Sequence, residues 1–272
     1  MRTAIHIGAE HMRSDKRLSS LVDALESSGC ETYFISLDEP LRDGTDMLLS
    51  VGGDGTFLSA AIKAAGDGVP VAGVNMGRMG FLSENRVEDV AEALLSGRYS
   101  IEERVMLKAE VHTGNAVIDD CPYALNEMTV RRSGAAMLGV DVCVDGFVLP
   151  TYWGDGLVIS TPSGSTAYSL SVGGPIVLPQ SRVFIISPIA PHNLNVRPLV
   201  VPDTSRISLK VHSRDGHFEF SADNRTSEVP EDTSVEVSMA QFSLRRVRLD
   251  KSSFIQALVE KLYWGEDVRN TR

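Results

Sequence analysis

An apolar strand that runs directly into paired glycines and then into a helix leaves a chain few folds to adopt. Here that junction reads "MLLSVGGDGTFLSAAIKAAG", Met47 to Gly66. So short an apolar run belongs in a sheet covered on both faces, and a helix of small residues closing on glycine supplies one cover. The flanking sequence repeats the pattern. "TAIHIGA", "ETYFISL" and "PVAGVN" read as strands. "SDKRLSSLVDALESSG", with Leu18, Leu21, Val22 and Leu25 on one face, and "VEDVAEALLSGR" read as helices. This β-α-β alternation predicts a Rossmann-like open α/β domain over residues 1–98, with ligands at the carboxyl ends of its strands.

From Tyr99 the texture changes. "RVMLKAEVH", "VDVCV", "FVLPTYW", "GLVIST", "RVFIISP", "RISLKVHS", "HFEFSAD", "SVEVSMA" and "FSLRRVRL" are short and alternating, and "VDGF" sets a tight Asp-Gly turn between two of them. They predict an all-β domain over residues 99–250. Residues 251–272 are expected to form a C-terminal helix and tail. Its "SSFIQALVEKLYWG" carries Phe254, Leu258 and Leu262 on one face, takes Ser252 or Ser253 as N-cap, and packs back on the N-terminal domain.

Composition narrows the function. With 272 residues, 43% of them hydrophobic, the chain can fill a sizeable core, and its net charge of -10 argues against a broad nucleic-acid face. Cys30, Cys121 and Cys143 are odd in number and unpaired in spacing, so neither a disulfide framework nor a zinc knuckle is indicated. The start turns polar after about eight residues, too soon for a signal peptide, and no apolar run approaches the roughly 20 residues of a membrane span. A soluble, cytoplasmic protein with no membrane partner is expected.

Gly52 and Gly53 let the backbone turn tightly, and the N–H groups of the following helix make a phosphate cradle. Asp54 is out of place there. A carboxylate repels phosphate unless it bonds a sugar hydroxyl, takes a proton or helps hold Mg²⁺; the plainer alternative is that it caps the helix. "YALNEMTVRR" offers Asn126 and Glu127, an amide beside an acceptor-only carboxylate, suited to ribose hydroxyls or a purine edge, or else a polar turn. "GDGLVISTPSGSTAYSLSVGGPIV" sends an apolar strand into a hydroxyl-rich loop, with Tyr168 able to stack on a base.

Taken together, Gly52-Gly53-Asp54-Gly55-Thr56, Asn126-Glu127, and Gly154-Asp155-Gly156 through Thr161-Pro162-Ser163-Gly164-Ser165-Thr166-Ala167-Tyr168 resemble the three signatures of the NAD kinase family. "NMGRMGFL" from Asn75 and "PHNLNVRPLV" from Pro191 support the match. Diacylglycerol and sphingosine kinases share only the first signature. The resemblance implies transfer of the γ-phosphate of ATP, or of a phosphate of polyphosphate, to the adenosine 2′-hydroxyl of NAD, with Mg²⁺ or another divalent cation offsetting the donor's charge. NAD and ATP are then substrates, and a homodimer or homotetramer is expected. Asp54 would be the catalytic general base, and Gly52, Gly53, Gly55 and Thr56 the phosphate loop. Asp54 itself, Gly55, Asn126, Glu127 and Asp155 would contact NAD. Ser163, Thr166, Ala167, Tyr168, Ser169, Leu170 and Ser171 would line its slot, with Ala190 and Arg225 as further contacts. No metal ligand is assigned.

The chain departs from the family in places. Ser59 stands where many members carry a basic residue, Trp153 where many carry arginine, and Asp223-Asn224-Arg225 where Asp-Gly-Gln or Asp-Ser-Gln is common. No G-x-x-x-x-G-K-[ST] loop and no G-x-G-x-x-G fingerprint occurs, against a Walker-type or hydride-transferring enzyme. The rival readings are a lipid or sphingoid-base kinase, which the hydroxyl-rich loop opposes, and a non-catalytic NAD or NADP sensor, which Asp54 opposes. His192 reads as a local hydrogen-bonding or packing residue and Asp119-Asp120 as solvated turn residues.

Overall fold

The computed structural model describes residues 1–77, 80–111, 113–114, 116–250 and 253–264, with backbone alone at Ala116 and Val117. The chain divides into two compact units, Met1–Glu103 with Leu244–Arg272, and Arg104–Ser243.

The first unit is built as its pattern predicts. Strand β1 (Arg2–Ile7), helix α1 (Lys16–Ser27), β2 (Glu31–Phe34), β3 (Met47–Gly52), α2 (Asp54–Ala65), β4 (Val71–Asn75) and α3 (Val87–Leu95) follow in order. The sheet runs β2-β1-β3-β4, with the registered pairs all parallel. Every residue of β3 and β4 is buried, as a doubly covered sheet requires. Leu18, Leu21 and Leu25 of α1 join Ile5, Leu49, Val51 and Val74 in one core. Ala60, Ala61, Ala64 and Ala65 give α2 a thin buried face, so the helix lies close over the strand that feeds it.

Three further strands complete this sheet, the short Asn85–Arg86 beside β4 among them, and one departs from the expected division. Leu244–Leu249 pairs with β4, Arg246 opposite Val71 in parallel register, and Tyr99–Arg104 lies beyond it. The predicted all-β span to residue 250 therefore stops at 243. Alternation in "LRRVRL" shows that a strand forms, not which sheet recruits it; Val247 and Leu249 end in the first core. Helix Phe254–Leu262 belongs to this same unit. Its Phe254 ring sits 6.2 Å from that of Phe81, and Ala257 and Leu258 are buried. Ser253 holds the N-cap position without a side-chain cap bond, while Ser252 and the tail from 265 lie outside the described residues.

The second unit pairs its strands in two sheets, and every registered pair is antiparallel. One sheet centres on Leu138–Val144 and Ile207–His212, the other on Gly156–Ser160 and Glu127–Arg131. Val140, Leu209 and Val237 of the first share a core with Met128, Leu157, Phe184 and Phe220 of the second. The "VDGF" turn is real: Asp145 and Gly146 take φ of 50° and 86°, the twist a two-residue hairpin needs. Strands Leu199–Pro202 and Arg225–Pro230 escaped the sequence pattern because both are sheet edges with exposed or polar alternate residues. No helix among the described residues is long and apolar enough to cross a membrane.

Candidate active site

In the first unit, β3 ends at Gly52, Gly53 takes the N-cap position, and Asp54 opens α2. A Cβ on Gly52 would come within 2.5 Å of the Thr56 hydroxyl, and one on Gly8 within 2.2 Å. Thr56 thus wedges between the ends of β1 and β3, a packing role within the turn. Gly53 and Gly55 face open space, so their backbone is free for close approach. Ser59 turns inward along its helix, its hydroxyl donating to the Gly55 carbonyl at 3.3 Å.

Asp54 does not cap its own helix. Its carboxylate reaches the loop after β4 and accepts three backbone N–H bonds, from Phe81 at 2.9 Å, Leu82 at 3.1 Å and Ser83 at 2.8 Å. Gly80 makes this possible, since a Cβ there would lie 1.9 Å from Asp54 Oδ1. Asn75 ties the same loop from below, its amide donating to the Ser83 carbonyl at 3.0 Å. This cradle was hidden in "NMGRMGFL": a glycine ahead of an apolar pair was its only signal. Arg78 and Met79 of that segment lie outside the described residues.

In the second unit, Asn126 and Glu127 stand where one strand begins, over Asp223. The Asp223 carboxylate accepts N–H bonds from Leu125 (2.8 Å), Asn126 (2.8 Å) and Glu127 (3.2 Å). Asp223 itself has φ of 51°, a left-handed position at the hairpin from which its side chain turns back under the pair. Burial pushes the Asp223 carboxyl upward, against the pull of these donors and of Arg225. Glu127 is pushed up to about 8, first by burial and then by the Asp223 charge, while the Tyr168 N–H pulls the other way. Glu127 therefore holds its proton to a higher pH than a free glutamate does. Asn126 Oδ1 and Glu127 Oε2 are both buried without a hydrogen-bond partner. Buried polar atoms side by side without partners cost stability unless a ligand bonds to them.

That proton makes a stability prediction. Below about pH 4.5 both folded and unfolded Glu127 are protonated, and as pH rises toward about 8 only the folded state keeps the proton. Stability is thus present at low pH and lost as pH climbs through that window. Urea unfolding should show a fall of order 3 kcal/mol between about pH 5 and 8 that is absent in Glu127→Gln. Parallel pH profiles for both proteins would refute the assignment.

The loop that follows locks onto the same pair. Thr161 N–H donates to the Asn126 carbonyl at 2.9 Å and its hydroxyl to the Leu125 carbonyl at 2.6 Å. A Cβ on Gly164 would meet the Asn126 carbonyl at 2.2 Å. Gly154 and Gly156 are equally constrained, by the Ile189 carbonyl at 2.7 Å and the Val130 carbonyl at 2.1 Å, so Asp155 is held between fixed points. Its carboxylate pairs with Arg132 at 2.7 Å. Thr166, Ala167, Tyr168 and Leu170 are half-buried and Ser171 is exposed, whereas Ser163 is buried. Ser169 is fully buried and shares a 3.3 Å bond with the Ser187 hydroxyl, a place in the packing rather than on an open slot. Tyr168 lies 6.0 Å under the Arg131 guanidinium. Ala190, exposed, takes φ of 43°.

Other expectations resolve locally. Arg225 donates to the carbonyls of Cys121 and Tyr123, so its guanidinium is already committed inside this unit. Trp153 packs its ring over Gly139, where a Cβ would lie 2.7 Å away. Asp119, expected to be merely solvated, instead accepts from Thr113 N–H at 2.8 Å, its hydroxyl at 2.7 Å and Gly114 N–H at 3.0 Å; it ends the short helix Ala116–Asp119 and ties down the turn before it. Asp120 is exposed. Among the described residues no group of three His, Cys, Asp or Glu could hold a metal.

Residues 14–97 match the ATP-NAD kinase N-terminal domain family and residues 125–249 the ATP-NAD kinase C-terminal domain family. An NAD kinase of Flavobacterium psychrophilum is 41% identical over 239 residues, 86% of this chain and 81% of that one. An NAD kinase of Porphyromonas gingivalis is 43% identical over 235 residues, covering 85% and 80%. Among solved structures, an NAD kinase from Archaeoglobus fulgidus in complex with ATP superposes with a TM-score of 0.77 at 26% identity, over 97% of this chain and 99% of that one. Yeast NADH kinase complexed with NADH shares the fold, with a TM-score of 0.83 at 23% identity over 100% and 90%.

Proposed function

The chain belongs to the NAD kinase family of phosphotransferases, which make NADP from NAD and ATP, and on that premise we propose that Asp54 is its general base. The observation that carries the proposal is the cradle. A carboxylate offers about four lone-pair positions, and three backbone N–H groups fill three of them. One acceptor position remains for a hydroxyl proton, on an oxygen whose orientation is fixed before substrate arrives. Asp54 then orients the 2′-hydroxyl of the adenosine ribose and removes its proton as the oxygen attacks the γ-phosphorus. The open backbone at Gly53 and Gly55 and the N-terminal dipole of α2 suit the transferred phosphoryl group.

The donor arrives as MgATP. A cation carried on the nucleotide's phosphates would need few protein ligands. Its chemistry is to neutralise charge on the leaving β-phosphate and the transferred group.

In the second unit the orphaned Asn126 Oδ1 and Glu127 Oε2 suit ribose hydroxyls, which can donate to the amide oxygen and either donate to or accept from the carboxyl. Tyr168 supplies a stacking face for the dinucleotide. Tyr168→Ala should raise the KM for NAD several-fold, roughly the loss of one stacking contact, with kcat changed little. An unchanged KM removes Tyr168 from the site. The exposed edge strand Phe147–Val148 supports a homo-oligomer, since an apolar edge of this kind invites pairing; light scattering reads its size. The deciding experiment for the function is NADP formation from NAD and MgATP by the purified protein, with NADH and polyphosphate as alternate substrates. Binding of NAD without phosphorylation would favour the sensor.

A further inference from the structure

The three peptide units that hold Asp54 are themselves held at their other ends by cations. Phe81 N–H belongs to the peptide whose carbonyl is that of Gly80, and Lys261 Nζ donates to that carbonyl. Leu82 N–H belongs to the peptide with the Phe81 carbonyl, which Arg246 Nη2 approaches at 3.3 Å. Ser83 N–H belongs to the peptide with the Leu82 carbonyl, reached by the same nitrogen at 3.2 Å. A trans peptide points its C=O and N–H in opposite directions. Each of the three dipoles therefore has a cation at its negative end and the Asp54 carboxylate at its positive end.

We propose that Lys261 and Arg246 are positioning residues for the phosphoryl transfer, acting on Asp54 through three polarised peptide groups of the loop Gly80–Ser83. The inference rests on the assignment of Asp54 as general base. A guanidinium or ammonium on a carbonyl strengthens the N–H of the same peptide as a donor, because hydrogen bonds in a chain polarise one another. Both cations are also anchored to this one place. Arg246 is buried, with its terminal nitrogen 2.8 Å from Glu84. Lys261 lies 4.9 Å over the Phe81 ring, half-buried, with Glu84, Asp54 and Glu260 as its acidic neighbours and Arg246 as its basic one. Burial draws the Lys261 ammonium below the ordinary lysine range while Glu84 and Asp54 oppose that drift. The consequence is a role for the end of the chain: strand Leu244–Leu249 and helix Phe254–Leu262 return to the first unit and fix its base.

The test is a double-mutant cycle read as NADP formation at saturating NAD and MgATP. Lys261→Met should lower kcat about tenfold while both KM values stay within about twofold, since an interaction that serves the nucleophile's base acts on turnover. Lys261→Arg, which keeps a cation in reach of the carbonyl, should recover most of the loss. In the Asp54→Asn background Lys261→Met should change kcat less than about twofold, because its route of action is gone. Arg246→Lys runs the same cycle from the other cation, and thermal unfolding verifies that each variant folds. If Asp54→Asn cripples the enzyme while Lys261→Met and Arg246→Lys turn over like wild type, the relay is wrong and the base assignment stands. If Asp54→Asn is itself fully active, the base assignment fails first. Equal losses in both backgrounds mean that the cations act elsewhere, which also overturns the relay.

Discussion

Asp54→Asn should reduce kcat for NADP formation by about two orders of magnitude or more, with NAD affinity nearly intact. The amide matches the carboxylate in shape and keeps one good acceptor. That oxygen can serve Leu82 and Ser83, whose N–H groups both point to Oδ1 in the native cradle. The amide nitrogen then faces the Phe81 N–H, donor against donor, where Oδ2 now accepts at 2.9 Å. The variant therefore loses the proton acceptor and loosens the loop in one step. Calorimetric titration with NAD separates the two consequences. Unchanged binding with collapsed turnover is expected, because the unpartnered polar atoms that suit the dinucleotide, on Asn126 and Glu127, belong to the other unit. Wild-type turnover in Asp54→Asn would remove Asp54 from the chemistry.

Gly80→Ala should lower kcat tenfold or more while leaving the general base itself in the sequence. The new methyl would fall 1.9 to 2.3 Å from all three atoms of the Asp54 carboxyl group. Something must move. The loop backbone is tied by Asn75, Lys261 and Arg246, so the side chain of Asp54 yields and its carboxylate leaves the geometry set by three N–H bonds. A shift of about 1 Å in a catalytic group costs on the order of a hundredfold in rate, while a side chain that swings aside spares the fold most of the strain. Steady-state kinetics beside a thermal unfolding curve decide the matter. Native-like turnover would show that the base tolerates displacement, and the cradle would lose its catalytic meaning. A gross loss of stability would make Gly80 a folding residue instead.

Much of the architecture was legible. The first unit's strands and helices came out where apolar runs, helical spacing and closing glycines placed them, because local periodicity reports which face an element buries. The Asp-Gly hairpin at 145–146 was equally plain, since only a few residue types accept positive φ there. Edge strands Leu199–Pro202 and Arg225–Pro230 were not legible, because a strand with one partner need not alternate cleanly. The same limit applied to Leu244–Leu249: its pattern announced a strand and concealed its destination.

The site divides along similar lines. Asp54, Asn126, Glu127 and the 161–168 loop stood out as residue types out of keeping with their settings: a carboxylate in a phosphate cradle, hydroxyls crowding an apolar strand's end. Sequence alone thus determined two domain types, their order along the chain, and the residues whose chemistry asks for an explanation. What only the tertiary structure decided was which groups meet. Asp54 finds its donors at residues 81–83, Glu127 meets its acidic neighbour at Asp223, and Arg246 and Lys261 come back to the loop that holds Asp54. The physical reason is that polar side chains find partners by direction and distance across a folded core, and their spacing along the chain carries no trace of either.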